Sequence, residues 1–86
     1  MTLESLKDAV RVIGVKQVTK AVQKGQADAV FLADDADERV TQPLLDLASE
    51  IGVQVVHVPT MQELGKACSI EVGAAAAAVL KETMIK

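Results

Sequence analysis

The chain has 86 residues, room for one domain near the lower limit at which a single core suffices. Its 50% hydrophobic and 24% charged residues, with a net charge of -3, exclude a disordered chain and fit a soluble globular one. One phenylalanine is the only aromatic residue, so the core must be aliphatic, and modules that stack unpaired bases on aromatic platforms are excluded.

The amino terminus, Met1-Thr2-Leu3-Glu4-Ser5, lacks the basic start and apolar core of a secretion signal. No apolar run approaches the roughly 18 residues that span a bilayer, so a soluble cytoplasmic protein is expected. Leu3, Leu6 and Val10 share one face and predict a first helix over 3–9. Arg11-Val12-Ile13 reads as a brief extended segment ending at Gly14. A helix over about 16–24 follows, with Val18, Ala21 and Val22 inward and Gly25 as its stop. Its other face carries Lys16, Lys20 and Lys24 at four-residue spacing, where like charges destabilise a helix by roughly 0.2–0.5 kcal/mol per pair. Between Asp8 and Asp28 every charged residue is basic, so charge is segregated in a chain that is acidic overall. Two readings stay open for this face: an ordinary solvated lysine surface, or one that meets a polyanion.

Ala29-Val30-Phe31-Leu32-Ala33 predicts a strand buried on both faces. The acidic run Asp34-Asp35-Ala36-Asp37-Glu38 lacks calcium-loop spacing and the mid-loop glycine, which leaves no metal site assigned, and no cofactor is expected. Acidic residues favour the positive end of the next helix, for which Thr41 is the expected cap with Pro43 in the first turn. Leu44, Leu47, Ala48 and Ile51 are expected to bury one side of it, and Gly52 to end it. Val53 to Val58 is a second β-branched strand, in which His57 is a sheet-face residue with no nucleophile placed beside it. Thr60-Met61-Gln62-Glu63 has capping-box spacing and opens a short helix through Cys68. That single cysteine excludes an internal disulfide framework, and with one histidine the chain lacks ligands for structural zinc; a reducing compartment is expected. After the loop Ser69-Ile70-Glu71-Val72-Gly73, the run Ala74 to Leu80 has helical propensity but a strand's place in the alternation, so it is assigned as a strand. Lys81 to Lys86 is expected to form a frayed terminal helix. The alternation predicts an α/β protein: a three-layer α/β/α sandwich around a small mixed sheet of about four strands, one domain spanning 1–86.

Several of these stretches together resemble the kink-turn-binding ribosomal protein family of the large-subunit seven-Ae type, especially its small bacterial YbxF-like branch. Gly14-Val15-Lys16-Gln17-Val18-Thr19-Lys20 is similar to the family's Gly-Thr-Asn-Glu-x-x-Lys. Leu64-Gly65-Lys66-Ala67-Cys68-Ser69-Ile70-Glu71-Val72 resembles its Leu-Gly-x-Ala-x-Gly-Ile-Glu-Val, and Ala33-Asp34-Asp35-Ala36 and Val58-Pro59-Thr60 fit the order between them. The resemblance implies a non-enzymatic, monomeric protein that grips an RNA kink-turn, ribosome- or ribonucleoprotein-associated, with Gly14, Lys16, Gln17 and Lys20 in the groove and Ile70, Glu71 and Val72 on the bend. The alternative is a protein-interaction subunit of such a complex, its apolar loop meeting protein. Taken by themselves, Ile70 and Val72 also fit a reading in which they point into the core. The chain departs from the family pattern at Lys16 and Gln17, where the broader family has asparagine and glutamate. It also has Val12-Ile13 where archaeal members are basic, and Ser69 where glycine is usual.

Overall fold

The computed structural model describes residues 11–81. Along them run β1 (Arg11–Ile13), α1 (Val15–Gln23), β2 (Ala27–Ala33), α2 (Glu38–Ile51), β3 (Gln54–Val58), α3 (Met61–Ala67) and β4 (Ala76–Leu80). The expected helices over 3–9 and 81–86 lie outside the described residues, apart from Lys81. That residue does not start a helix; its N–H donates to the Gln26 carbonyl at 2.9 Å.

The strands form one mixed sheet in the order β1-β4-β2-β3, with β4 antiparallel to β1 and β2, and β2 parallel to β3. A parallel pair needs a crossover, and α2 supplies it. Strand periodicity sends alternate residues to opposite layers. Ala29, Phe31 and Ala33 pack with Val58, Ala77 and Val79 against Leu64 and Ala67 of α3. Val30 and Leu32 pack with Ala76 and Ala78 against α1 and α2, through Val18, Ala21, Val22, Leu44 and Ala48. The three-layer sandwich is therefore present, with α1 and α2 on one face and α3 on the other. A bulge between Ala27 and Ala29 places both alanines inside, in different layers, while Asp28 stays in solvent.

The alanine run is a strand, Ala76–Leu80, despite its propensity. Alanine's helical advantage is at most about 0.7 kcal/mol per residue, and β4 hydrogen-bonds to strands on both sides while burying both faces. Small side chains at 76–78, all fully buried, let helices close on the central strand from each side. The lysine helix has the expected inward residues, and Gly25 lies just beyond its C-cap at φ 70°.

Two expectations about α2 fail. Its cap is Asp37, not Thr41: the Asp37 side chain accepts from the Arg39 N–H at 2.9 Å, and the Asp37 carbonyl accepts from Thr41. Carboxylates outrank threonine at this position, so the helix begins four residues earlier and Pro43 falls in its interior. Ile51 is 48% exposed where burial was expected, because the helix is at its last turn there and Gly52, at φ 90°, turns the chain away.

Candidate functional site

Gly14 forms the N-cap of α1 at φ 101°, a conformation that disfavours any residue with a Cβ. Its N–H donates to the Ala76 carbonyl at 2.9 Å, and its carbonyl accepts from Val18. Having no side chain, it cannot cap the first N–H groups of α1, and no acidic residue stands in the first turn. The positive end of the helix therefore carries no side-chain cap and no first-turn carboxylate. Lys16, Gln17 and Lys20 are exposed there. The ion pairs among the described residues are Arg39–Asp37 and His57–Asp34, so neither lysine is neutralised by a described acid.

The segment 69–74 leaves the end of α3 and folds back along it. Ser69 takes a left-handed turn at φ 63°. The Ile70 N–H donates to Gly65 at 3.0 Å, the Val72 carbonyl lies against the bare Cα of Gly65, and the Ala74 N–H donates to Met61 at 3.0 Å. A Cβ on Gly65 would overlap that carbonyl, which explains a buried glycine in mid-helix. The fold resolves the two apolar loop residues differently. Ile70 is half-buried against the α3-side core, whereas Val72 is 69% exposed and Glu71 is exposed beside it.

Both segments sit at the end of the sheet where β4 begins. Gly14 is hydrogen-bonded to Ala76, and at most about 14 Å of extended chain separates Ala76 from Val72. Since α1 and α3 cover opposite faces, the Gly14 turn and the loop converge from two sides onto one edge. Lys16 is in the first turn at that edge, and Lys20 is one turn behind it.

The acidic run is committed to structure. Asp35 accepts from the Met61 N–H at 2.8 Å and so supports α3, whose other cap is Thr60 accepting from Glu63. Asp34 meets His57 Nδ1 at 3.0 Å, and Asp37 holds Arg39. Among the described residues no three Asp, Glu, His or Cys side chains converge to hold a metal ion. A cavity of about 120 Å³ lies beside His57, lined by Thr41, Gln42 and Leu45, far below the volume of a typical ligand pocket. Burial pushes the Cys68 thiol above its ordinary value, against the opposing pull of Arg11, so it is no activated nucleophile. Sequence reading missed Gly65, which lets the loop lie against α3, and Asp35, which caps the start of α3. Only Gly65 carried a signal, a glycine inside a helical pattern.

No helix among the described residues is long and apolar enough to cross a membrane. The protein called RNA-binding protein YbxF from Geobacillus stearothermophilus is 46% identical over 70 residues, covering 81% of this chain and 85% of that protein. Large ribosomal subunit protein eL8 of Halobacterium salinarum is 48% identical over 68 residues, or 78% of this chain, which spans 57% of that protein's length. The solved structure of the Giardia lamblia 15.5kD RNA binding protein superposes with a TM-score of 0.85 at 27% identity, covering 96% of this chain and 73% of that one. These relatives are RNA-binding and ribosomal proteins, not enzymes, as expected for this chain. Residues 2–86 match the description "Ribosomal protein L7Ae/L30e/S12e/Gadd45 family", and the chain belongs to that family.

Proposed function

We propose that this protein binds RNA within a ribosome or another ribonucleoprotein, and that it recognises and stabilises the kink-turn. The observation that carries the reading is the shared edge: an uncapped helix terminus flanked by unneutralised lysines beside a loop that exposes Val72. The names of its relatives supply the ligand class. Regular A-form RNA hides its base edges in a deep, narrow groove, so a protein with no aromatic platform needs a distorted element that opens one. Helix N–H groups attract phosphate, and Gly14 lets the backbone approach closely. Lys16 and Lys20 donate to phosphate or to guanine O6 and N7, and Gln17 both donates and accepts. Val72 covers the apolar side of the bend, Ile70 supports the loop from beneath, and Glu71 accepts from an exposed base amino group. Binding only the bent form draws an open RNA into the kink by population shift.

The test uses an end-labelled kink-turn RNA, whose energy transfer should rise on adding protein. An RNA with its sheared G·A pairs replaced by Watson–Crick pairs should not respond, and equal responses would remove the kink-turn claim. Changing Lys16 or Lys20 to methionine should weaken binding and lower the log–log salt slope by about one. A protein partner in place of RNA would protect the backbone amides of 70–73 alone, whereas the RNA should also protect 14–20.

A further inference from the structure

We infer that Arg11 is a positioning residue that holds the two halves of the RNA-contact edge in register. Its functional consequence rests on the reading above; its structural half does not. Arg11 opens β1, a three-residue strand at the edge of the described sheet, paired there only with β4. Three rungs alone are a weak anchor for the helix that follows. Ile13 packs into the α3-side layer, and the strand period puts Arg11 on the same side. From there the guanidinium reaches 57 residues along the chain, and Nη2 donates to the Cys68 carbonyl at 2.7 Å. Cys68 is the C-cap of α3, so its carbonyl is one that the helix leaves without an internal partner. Ser69 and the Ile70–Val72 loop begin at the next peptide. At the other end of that loop, Ala76 accepts from Gly14. The short segment Arg11–Gly14 therefore grips both ends of 69–75: Arg11 at its start, Gly14 at its finish. A charge-assisted bond in a partly buried setting suits this role better than a neutral one. A guanidinium turned onto a carbonyl is also a different device from a lysine pointing into solvent. It fixes where the loop lies relative to α1 without itself meeting phosphate.

The experiment compares the full chain with Arg11→Met, which keeps the aliphatic stem and removes the donor. Hydrogen exchange without RNA should show the amides of 69–73 opening about tenfold faster while those of 30–32 keep their rates. Affinity for kink-turn RNA should fall about tenfold with an unchanged salt slope, and Arg11→Lys, which keeps a cationic donor without the planar guanidinium, should recover part of both losses. Loop amides that exchange at the parent rate would overturn the inference. So would a salt slope lowered by about one, which would make Arg11 a phosphate ligand. If Arg11→Met does not fold, Arg11→Lys carries the same comparison through a smaller acceleration confined to 69–73. A parent protein that ignores the kink-turn overturns the proposed function, and the exchange rates then decide the role of Arg11 alone.

Discussion

Ser69 and Gly65, one helical turn apart in the chain, together set the shape of the loop. Ser69 stands at φ 63°, where a residue with a Cβ costs roughly 1–2 kcal/mol. Ser69→Gly should remove that strain and return about half of it as unfolded-state entropy. The expected outcome is a net gain of about 0.5–1 kcal/mol, seen as a rise in melting temperature of roughly 3 °C or more. Gly65→Ala runs the other way, because its Cβ would occupy the place of the Val72 carbonyl, a backbone atom with no rotamer to escape through. It should lose about 2 kcal/mol, read from a lower urea midpoint at an unchanged slope, and should displace the loop amides in a nitrogen–proton spectrum. Both effects are local, yet only that of Gly65 was readable from sequence. A glycine inside a helical pattern signals close approach, while nothing in Ser69 announces a left-handed turn.

At the scale of elements, α2 shows what capping chemistry decides. Asp37 caps the helix and binds Arg39 through both carboxylate oxygens, at 3.3 Å and 2.9 Å. The Arg39 side chain first, and its backbone N–H second, hold the Asp37 carboxyl below its ordinary value of 3.8. A depressed folded-state value means stability that is present above the unfolded value and lost as the pH falls through the folded one. Asp37→Asn keeps a capping side chain and discards the charge. The melting temperatures of parent and variant should differ by a constant amount above about pH 5, with the parent higher. The gap should close as the pH drops below 3.8. A gap that persists into strong acid would mean that the charge contributes nothing. Asp37 rather than Thr41 caps α2 because a carboxylate is the stronger acceptor, and Pro43 is accommodated in the helix interior at an exposed position.

For the whole molecule, the division of charge matters more than its sum. The chain is acidic, but three carboxylates of the run after β2 are engaged with Arg39, His57 and the start of α3, while the lysines of α1 have no described acid beside them. Under the proposed function, this division draws a polyanion to one edge of a chain whose net charge is -3. If a kink-turn RNA binds the folded state only, adding it at a hundredfold excess over its dissociation constant should raise stability by about 2.7 kcal/mol. A perfect duplex at the same concentration should leave the melt where it was. Equal shifts from both RNAs would reduce the interaction to unspecific charge attraction.

Composition and periodicity by themselves determined the aliphatic character of the core, the alternation of strands and helices along the chain, the inward face of α1 and the two glycine stops. Each of these follows from neighbours within a few residues. The placing of β4 between β1 and β2 in the sheet, the partition into two core layers and the meeting of the Gly14 turn with the 69–75 loop were decided only in three dimensions. They depend on β4, the last described strand, inserting between β1 and β2 and carrying Ala76 to Gly14. The same is true of Arg11 and Cys68, 57 residues apart and joined by one hydrogen bond. Local rules carry no information about a partner so distant in the chain, because what selects it is the packing of the completed sheet.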